Sequence, residues 1–240
     1  MKRPEYYILL IMLIIPVEVI PQASFGVFGG LGTYKMDNLK EINNLQAMSL
    51  PIKPVTVDNF NPGLYLGASF NNKLSKYLLF GLNYQFNSTG SRIGQKDYSG
   101  YYAYDQIVNG YFFGIEPEVI IKKTNSIMIS VSIVTGTSFT SLEIKEVISI
   151  SGQEEKNSES FTAVSFPLYP AVKLSKPFSN NISGTVSLGY LYDTGGVFHL
   201  EGQKNAIIRI NDIPVKTGWT GFRITAGLRF YFNLTNPKLP

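Results

Sequence analysis

Residues 219–232 read WTGFRITAGLRFYF, and the side chains of this stretch alternate between two kinds. The even positions from Phe222 to Phe232 are all apolar, whereas the odd positions from Gly221 to Tyr231 include Gly, Thr and two arginines. A period of two is the signature of a β-strand with one apolar and one polar face. An apolar face of this length is more than the edge strand of a soluble sheet would leave open.

The same alternation recurs upstream, and with the last strand it predicts eight strands. The connections between these strands alternate in length, since three are short and polar and four are long. Short turns at one rim and long loops at the other are typical of transmembrane β-barrels. The fold predicted is all-β: an eight-stranded antiparallel up-and-down transmembrane β-barrel. The seven further strands are expected near residues 25–34, 64–70, 78–86, 115–121, 127–133, 164–174 and 186–190, with the long loops at 35–60, 89–100, 148–160 and 194–217.

A short helix is expected within the first long loop. Met36, Leu39, Ile42 and Leu45 follow one another at helical spacing within residues 35–48. We expect this helix to pack on the mouth of the barrel rather than to bind a partner.

The composition agrees with a chain whose surface meets lipid. Only 16% of the residues are charged, against about 25% in an ordinary soluble protein. The chain also contains 15 Tyr, 16 Phe and 22 Gly. No cysteine occurs, which excludes disulfides, thiolate metal sites and a lipid-bearing cysteine. The net charge of +4 comes from scattered residues rather than a basic stripe, so no nucleic-acid partner is expected.

The N-terminus has the pattern of an export signal. Lys2 and Arg3 precede an apolar run of about ten residues, which is too short to span a bilayer, and the run ends at Pro16. A small residue, Ala23, offers a cleavage point. The expected organisation is therefore a signal peptide at 1–23, one outer-membrane β-barrel at 24–233 and a C-terminal tail at 234–240.

Charged residues recur on the polar faces of the predicted strands. An eight-stranded barrel is just wide enough to be filled by side chains, so charges inside it must pair or keep water. We therefore expect a carboxylate-to-cation network in the lumen with a structural role. Its members would be Glu116, Glu118, Lys173, Arg223 and Arg229.

Aromatic residues near the strand ends fit a second role. Amphipathic rings are enriched at membrane–water interfaces, where one part of the ring is apolar and another is hydrated. Those expected at the interfaces are Tyr77, Tyr84, Tyr101, Tyr192, Trp219 and Tyr231.

Catalytic chemistry has little support in the sequence. His199 is the only histidine and has Glu201 two positions away, but no serine lies beside it. Some eight-stranded outer-membrane barrels modify lipid A with a Ser/His/Glu arrangement, and that alternative stays open. We expect no enzyme activity, no cofactor and no metal site, since one histidine and scattered aspartates do not supply converging ligands.

Six segments of the chain carry a resemblance to a known family: GTYKMDNLK (32–40), VDNF (57–60), DYSG (97–100), YDQ (104–106), HLEGQKN (199–205) and WTGFR (219–223). They resemble the small outer-membrane β-barrel proteins of Bacteroidetes, which are OmpA-like or OmpX-like barrels often called porin-family. The resemblance implies an outer-membrane location and an eight-stranded fold without a defined activity. Many such proteins end on an aromatic residue that the barrel-insertion machinery recognises, whereas this chain continues beyond Phe232.

The expected function is a structural or surface-interaction role through the long loops, in a monomer whose interior is filled rather than an open pore. The expected partners are outer-membrane lipids and lipopolysaccharide, the barrel-insertion machinery and an extracellular ligand of unknown kind. A narrow channel stays open as an alternative. So does a soluble lipocalin-like barrel, because periodicity alone does not say which face of each strand points inward.

Overall fold

The computed structural model describes residues 23–51, 54–98, 100–124 and 126–232. The expected signal peptide, apart from its last residue, and the expected tail at 234–240 lie outside the described residues. The described elements are β1 Ala23–Gly32, α1 Asp37–Ser49, β2 Val55–Asn59, β3 Gly63–Lys73, β4 Leu78–Lys96, β5 Gly100–Lys123, β6 Met128–Ile150, β7 Gln153–Ser165, β8 Pro167–Pro177, β9 Ile182–Asp193, β10 His199–Leu200, β11 Gln203–Ile207, β12 Arg209–Ile210, β13 Ile213–Pro214 and β14 Gly221–Phe232.

The strands close into a ring. β14 pairs antiparallel with β9 on one side and with β1 on the other, where Ala23 lies opposite Phe232 and Gly32 lies opposite Arg223. The ring runs β1–β3–β4–β5–β6–β8–β9–β14 and back to β1, and each pairing in it is antiparallel. The prediction of an all-β, eight-stranded antiparallel barrel with a short helix in the first long loop is confirmed.

β7 and β8 are two parts of one long ring strand. Both pair with β6 in the same register, because Ser138 lies opposite Ser165 and Thr135 lies opposite Leu168. The interruption falls at Phe166, after which β8 takes β9 as its second neighbour. β7 instead takes the two-residue strand β10.

The two ends of the barrel differ in construction. At one end, which we call the turn end, short connections join β3 to β4, β5 to β6 and β8 to β9. β1 begins and β14 ends at this same end. At the other, the loop end, α1, β2 and β10 to β13 form the long connections.

Two of the four predictions of a long loop, those for 89–100 and 148–160, are wrong. Residues 89–96 and 153–160 belong to strands, so β4 with β5 and β6 with β7 form long hairpins there. These segments are largely polar and lack the apolar–polar alternation of the predicted strands. Paired hairpin arms satisfy their own backbone hydrogen bonds in water, however, and need no apolar face to remain extended. β4, β5, β6 and β7 therefore continue beyond the ring as a wall at the loop end.

The outward and inward faces of the ring have opposite character. Outward positions include Leu66, Leu188 and Phe222, which are all exposed. Most inward positions on the turn-end half are polar and buried, as at Gln85 and Ser130. A soluble lipocalin-like barrel requires the reverse arrangement, with a polar exterior, so this alternative is wrong.

The loop-end half of the lumen is filled by apolar side chains that we call the plug: Met36, Leu39, Phe198, Val215 and Trp219, each at most 2% exposed. The Trp219 ring meets that of Tyr34 edge-on, with 5.1 Å between centroids. A Cβ at position 110 would lie 2.7 Å from the Trp219 ring, so Gly110 provides the space that this ring occupies. The indole N–H donates a 2.9 Å hydrogen bond to Thr140 Oγ1.

α1 lies over the plug and is fastened to the barrel wall. Gln106 Nε2 donates to the carbonyl oxygen of Leu39 at 3.2 Å and to Asn43 Oδ1 at 2.7 Å. Near the other end of the helix, Gln46 Nε2 donates to the Tyr102 hydroxyl at 3.0 Å. Burial raises the pKa of that hydroxyl to about 12, so it stays protonated at neutral pH. No helix among the described residues is long and apolar enough to cross a membrane.

Trp219 is the only tryptophan of the chain, so its fluorescence reports on the plug alone. Thr140→Val removes the acceptor of the buried indole N–H and should lower the free energy of unfolding by about 1–3 kcal/mol. It should also shift the tryptophan emission of the protein in detergent. Thr137→Val changes an outward position of the same strand and should alter neither quantity; equal effects of the two substitutions would contradict this placement of Trp219.

Candidate functional site in the lumen

Four of the five charged residues expected in the lumen contact one another in the turn-end half of the barrel. Glu116 and Glu118 lie two positions apart on β5, so both side chains point inward. Lys173 on β8 and Arg229 on β14 reach them from other parts of the ring. We call Glu116, Glu118, Lys173 and Arg229 the lumen network.

Glu118 is the centre of the lumen network. Arg229 donates to it with both terminal nitrogens, through Nη2 at 2.8 Å and Nη1 at 3.3 Å. Lys173 Nζ lies 3.3 Å from Glu118 Oε2 and also donates to Glu116. Ser130 Oγ adds a 2.7 Å hydrogen bond. One carboxylate thus receives two cations and a hydroxyl, a paired arrangement of the kind that a buried charge requires.

Glu116 is held from the other side by an amide pair. Asn83 Nδ2 donates to Glu116 Oε2 at 3.0 Å, and Gln85 Nε2 donates to Asn83 Oδ1 at 3.0 Å. The four charges of the lumen network sum to zero, and all four side chains are buried. Because desolvating such pairs offsets much of their attraction, the network adds less net stability than the number of its contacts suggests.

Arg223 does not join the lumen network, contrary to expectation. It lies six residues from Arg229 along β14, which at 3.3 Å per residue is about 20 Å. Its Nη1 donates to Gln85 Oε1 at 2.7 Å, while Nε and Nη2 have no acceptor among the described residues. Alternation places both arginines in the lumen, but the separation along the strand puts them at different levels.

Aromatic rings surround the Arg223 guanidinium instead of carboxylates. Tyr65, Tyr34 and Tyr169 place their ring centroids 4.8, 5.9 and 5.9 Å from its Cζ atom. Ring faces attract a cation more strongly where water is excluded. Tyr65 is fixed by a hydrogen bond between its hydroxyl and that of Thr225. The sequence analysis did not single out these tyrosines for the lumen, although alternation of Tyr65 with Leu64 and Leu66 marks its inward face.

A small cavity of about 50 Å³ separates the level of Arg223 from the lumen network. Its lining includes Gln85, Tyr169, Lys173 and Arg229. A single water needs about 10–15 Å³, so the space suits a few water molecules rather than an organic ligand.

Asp193, which the sequence analysis also missed, organises the loop-end connection from β9 to β14. Its Oδ2 accepts hydrogen bonds from Thr217 Oγ1 at 2.8 Å and from the Trp219 backbone N–H at 3.3 Å. Its own backbone N–H donates to Thr220 Oγ1 at 3.0 Å. This buried carboxylate therefore holds the backbone that places Trp219 in the plug.

Two of the six aromatics expected at membrane interfaces point inward, and these two expectations are wrong. Trp219 is part of the plug, and the Tyr231 hydroxyl lies 3.1 Å from Ser183 Oγ at the mouth of the lumen. Both occupy odd-numbered positions of the last stretch, on the same side as Arg223 and Arg229. The face of the strand, rather than the distance from its end, decides where such a ring points.

The other four expected aromatics lie on outward or loop-end surfaces. Tyr77 is exposed at the turn end, and Tyr192 is exposed at the loop end of β9. Tyr84 lies on the outer wall, tilted against Phe113 with centroids 4.8 Å apart. Tyr101 lies beyond the ring on the β4–β5 hairpin, where its hydroxyl donates to Glu154.

His199 lies in β10 at the loop end, opposite Thr162 of β7. The described residues contain no group of three or more His, Cys, Asp or Glu side chains placed to hold a metal ion. The candidate site is therefore the lumen, where the charged and aromatic side chains converge.

No protein-family model matches the chain, and no curated protein matches it. Solved structures of outer-membrane proteins resemble it. The attachment invasion locus protein Ail of Yersinia pestis is 14% identical over 89% of this chain and 100% of its own, with a TM-score of 0.38. OprG of Pseudomonas aeruginosa is 11% identical over 88% and 96%, with a TM-score of 0.45. A major outer membrane protein of Thermus thermophilus is 10% identical over 88% and 99%, with a TM-score of 0.46. Likeness at this level assigns no function.

The two lumen arginines should differ in their importance for stability. Arg229→Met leaves the buried Glu118 without its bidentate partner and should cost about 3–5 kcal/mol of unfolding free energy. Arg223→Met leaves no buried carboxylate without a partner. It should therefore lower the free energy of unfolding by less, about 1–3 kcal/mol for the lost hydrogen bond to Gln85. Unfolding midpoints in detergent measure both.

The double variant Glu118→Gln with Arg229→Met supplies the control, because it removes the unpaired charge. It should recover part of the stability lost in the single arginine variant. Equal losses for the two single variants, or no recovery in the double, would refute the assignment of Arg229 to Glu118.

Proposed function

We propose that this chain is an integral outer-membrane β-barrel protein with a filled interior, and that its role is structural or surface-interacting through the loop end. The observation that carries the proposal is the outward apolar face of the closed ring. Outward Leu66, Leu188 and Phe222 are exposed, while most inward positions of the turn-end half carry polar or charged side chains. A soluble protein would expose this apolar surface to water at a large cost.

The dimensions of the ring support a membrane location. β1 has ten residues, which at 3.3 Å per residue gives a strand of about 33 Å. At the usual tilt of about 40°, such a strand rises about 25 Å along the barrel axis, which is the height of the apolar band in outer-membrane barrels. Closure also pairs the backbone of each ring strand on both sides, as the bilayer interior requires.

The plug supports a filled interior rather than a channel. Trp219, Met36 and Phe198 occupy the loop-end half of the lumen, and the lumen network crosses the turn-end half. Solute passage would require the plug and the neutral ionic cluster to part together. A role away from the lumen fits this arrangement better.

The wall formed by β4, β5, β6 and β7 supports interaction at the loop end. It extends beyond the ring and carries ionic pairs such as Arg92 with Asp105, 2.5 Å apart. The hydrogen bond to Asp105 raises the pKa of Arg92, so the guanidinium stays charged over the physiological range. Rigid, charged and exposed hairpins are the part of the molecule best placed to meet a partner outside the membrane.

The membrane proposal is tested by placing a charge on the outer wall. Leu188 in the middle of β9 is 60% exposed, and Val57 in β2 at the loop end is 68% exposed. Leu188→Arg should destabilise the membrane-inserted barrel by about 2–4 kcal/mol, whereas Val57→Arg should be neutral. Folding into lipid vesicles, followed by the gel shift on boiling, measures the difference. Equal tolerance of both charges, together with recovery of the native protein in the soluble fraction, would sink the proposal.

The filled interior is tested separately by planar-bilayer recording. The native protein should give no discrete openings, because the plug and the lumen network occupy successive levels of the lumen. The double variant Trp219→Ala with Phe198→Ala removes two large side chains of the plug, and its conductance is compared with that of the native protein. Discrete conductance steps from the native protein would move it to the channel class.

A further inference from the structure

The turn end carries a cluster of lysines without acidic neighbours in sequence. The segments 71–77, 121–128 and 175–183 contain no Asp or Glu. Three of the lysines at this end are outward or on a turn, and two point toward the mouth of the lumen. The five are Lys73, Lys76, Lys122, Lys123 and Lys176.

The lysines of the turn end lack the carboxylate partners that three basic residues of the loop end have. At the loop end, Arg92, Lys145 and Lys156 each form an ion pair with a carboxylate. Among the residues that the structure describes, none of the five turn-end lysines forms an ion pair. Uncompensated positive charge at one end attracts anions over about a Debye length, or 8–10 Å.

A cavity of about 210 Å³ opens at the turn-end mouth of the lumen, and two of these lysines, Lys73 and Lys123, line it. Its volume is more than ten times the 10–15 Å³ that a single water requires. No carboxylate is present in this lining. The cavity is therefore a concave space with cations and without competing anions.

The polar side chains of the cavity are suited to an oxyanion. Ser183 and Tyr231 face each other at 3.1 Å, and their mutual hydrogen bond uses only one of their two hydroxyl protons. The second proton remains available to an acceptor in the cavity, whose lining also includes Lys73 and Lys123. Ammonium and hydroxyl donors at one concave site are the groups that bind phosphate oxygens.

We propose that the turn-end mouth is a binding site for a phosphate group, held by Lys73, Lys123 and the Ser183–Tyr231 hydroxyl pair. The phosphate belongs either to the headgroup of an anionic phospholipid at this rim or to a free phosphate. The phospholipid source rests on the proposed membrane location, whereas binding of free phosphate to the folded barrel in detergent does not.

The test compares two double variants of the full chain. Lys73→Gln with Lys123→Gln removes the cations of the cavity, and Lys76→Gln with Lys122→Gln removes the same charge from the same rim outside the cavity. The gel shift on boiling first establishes that each variant forms the barrel. Titration calorimetry with inorganic phosphate in a neutral detergent should then show affinity at least about tenfold weaker for the first variant than for the native protein. The second variant should stay close to the native protein.

The second arm uses nanodiscs of phosphatidylcholine with added phosphatidylglycerol, and native mass spectrometry to count retained lipids. Retention of phosphatidylglycerol that is lost in the first variant alone supports the headgroup as source. Phosphate binding in the first arm without such retention supports free phosphate. Binding in neither arm overturns the proposal, as does an equal loss in the two variants. If the barrel binds phosphate in detergent but fails to enter vesicles, the proposed membrane location fails while this site stands.

Discussion

The pairing of β14 with β1 is the constraint on which the rest of the structure depends. It converts an open sheet into a ring, so each ring strand has one face toward the outside and one toward a lumen of fixed width. A side chain deep on the inner face is shielded from bulk water, so a buried charge there needs its partners within the lumen. Glu118 shows the consequence, since two cations and a hydroxyl converge on one buried carboxylate.

The lumen changes character along a single strand and its continuation. Arg229 lies in an ionic cluster, Arg223 is surrounded by tyrosine rings, and Trp219 is packed among apolar side chains. These three levels follow one another from the turn end to the loop end. The guanidinium of Arg223 therefore lies at the boundary between the two halves, where ring faces supply attraction without requiring a second buried charge.

Much of this fold is readable from the sequence because the period of two separates the faces of each strand. Alternation alone placed Glu116, Lys173 and Arg223 inside. It does not tell which charges meet, since Arg229 and Glu118 are 111 positions apart and their contact depends on the register of the ring. Sequence-based prediction fails where the alternation is absent or is not used. The polar hairpin arms lack the alternation and are predicted as loops. The rings of Trp219 and Tyr231 are predicted at the membrane interface from their distance to a strand end, although their face of the strand points inward.

The arrangement of the lumen favours the proposed roles at the two ends of the molecule over passage through its middle. A neutral cluster whose members each have several hydrogen bonds opposes the movement of ions. Displacing any member would leave another charge unpaired in a space with little water. The plug opposes passage in the other half for a different reason, since its apolar side chains would have to be exposed to water. The proposed surface interaction would therefore use the charged hairpins at one end, and the proposed phosphate site would use the lysines at the other.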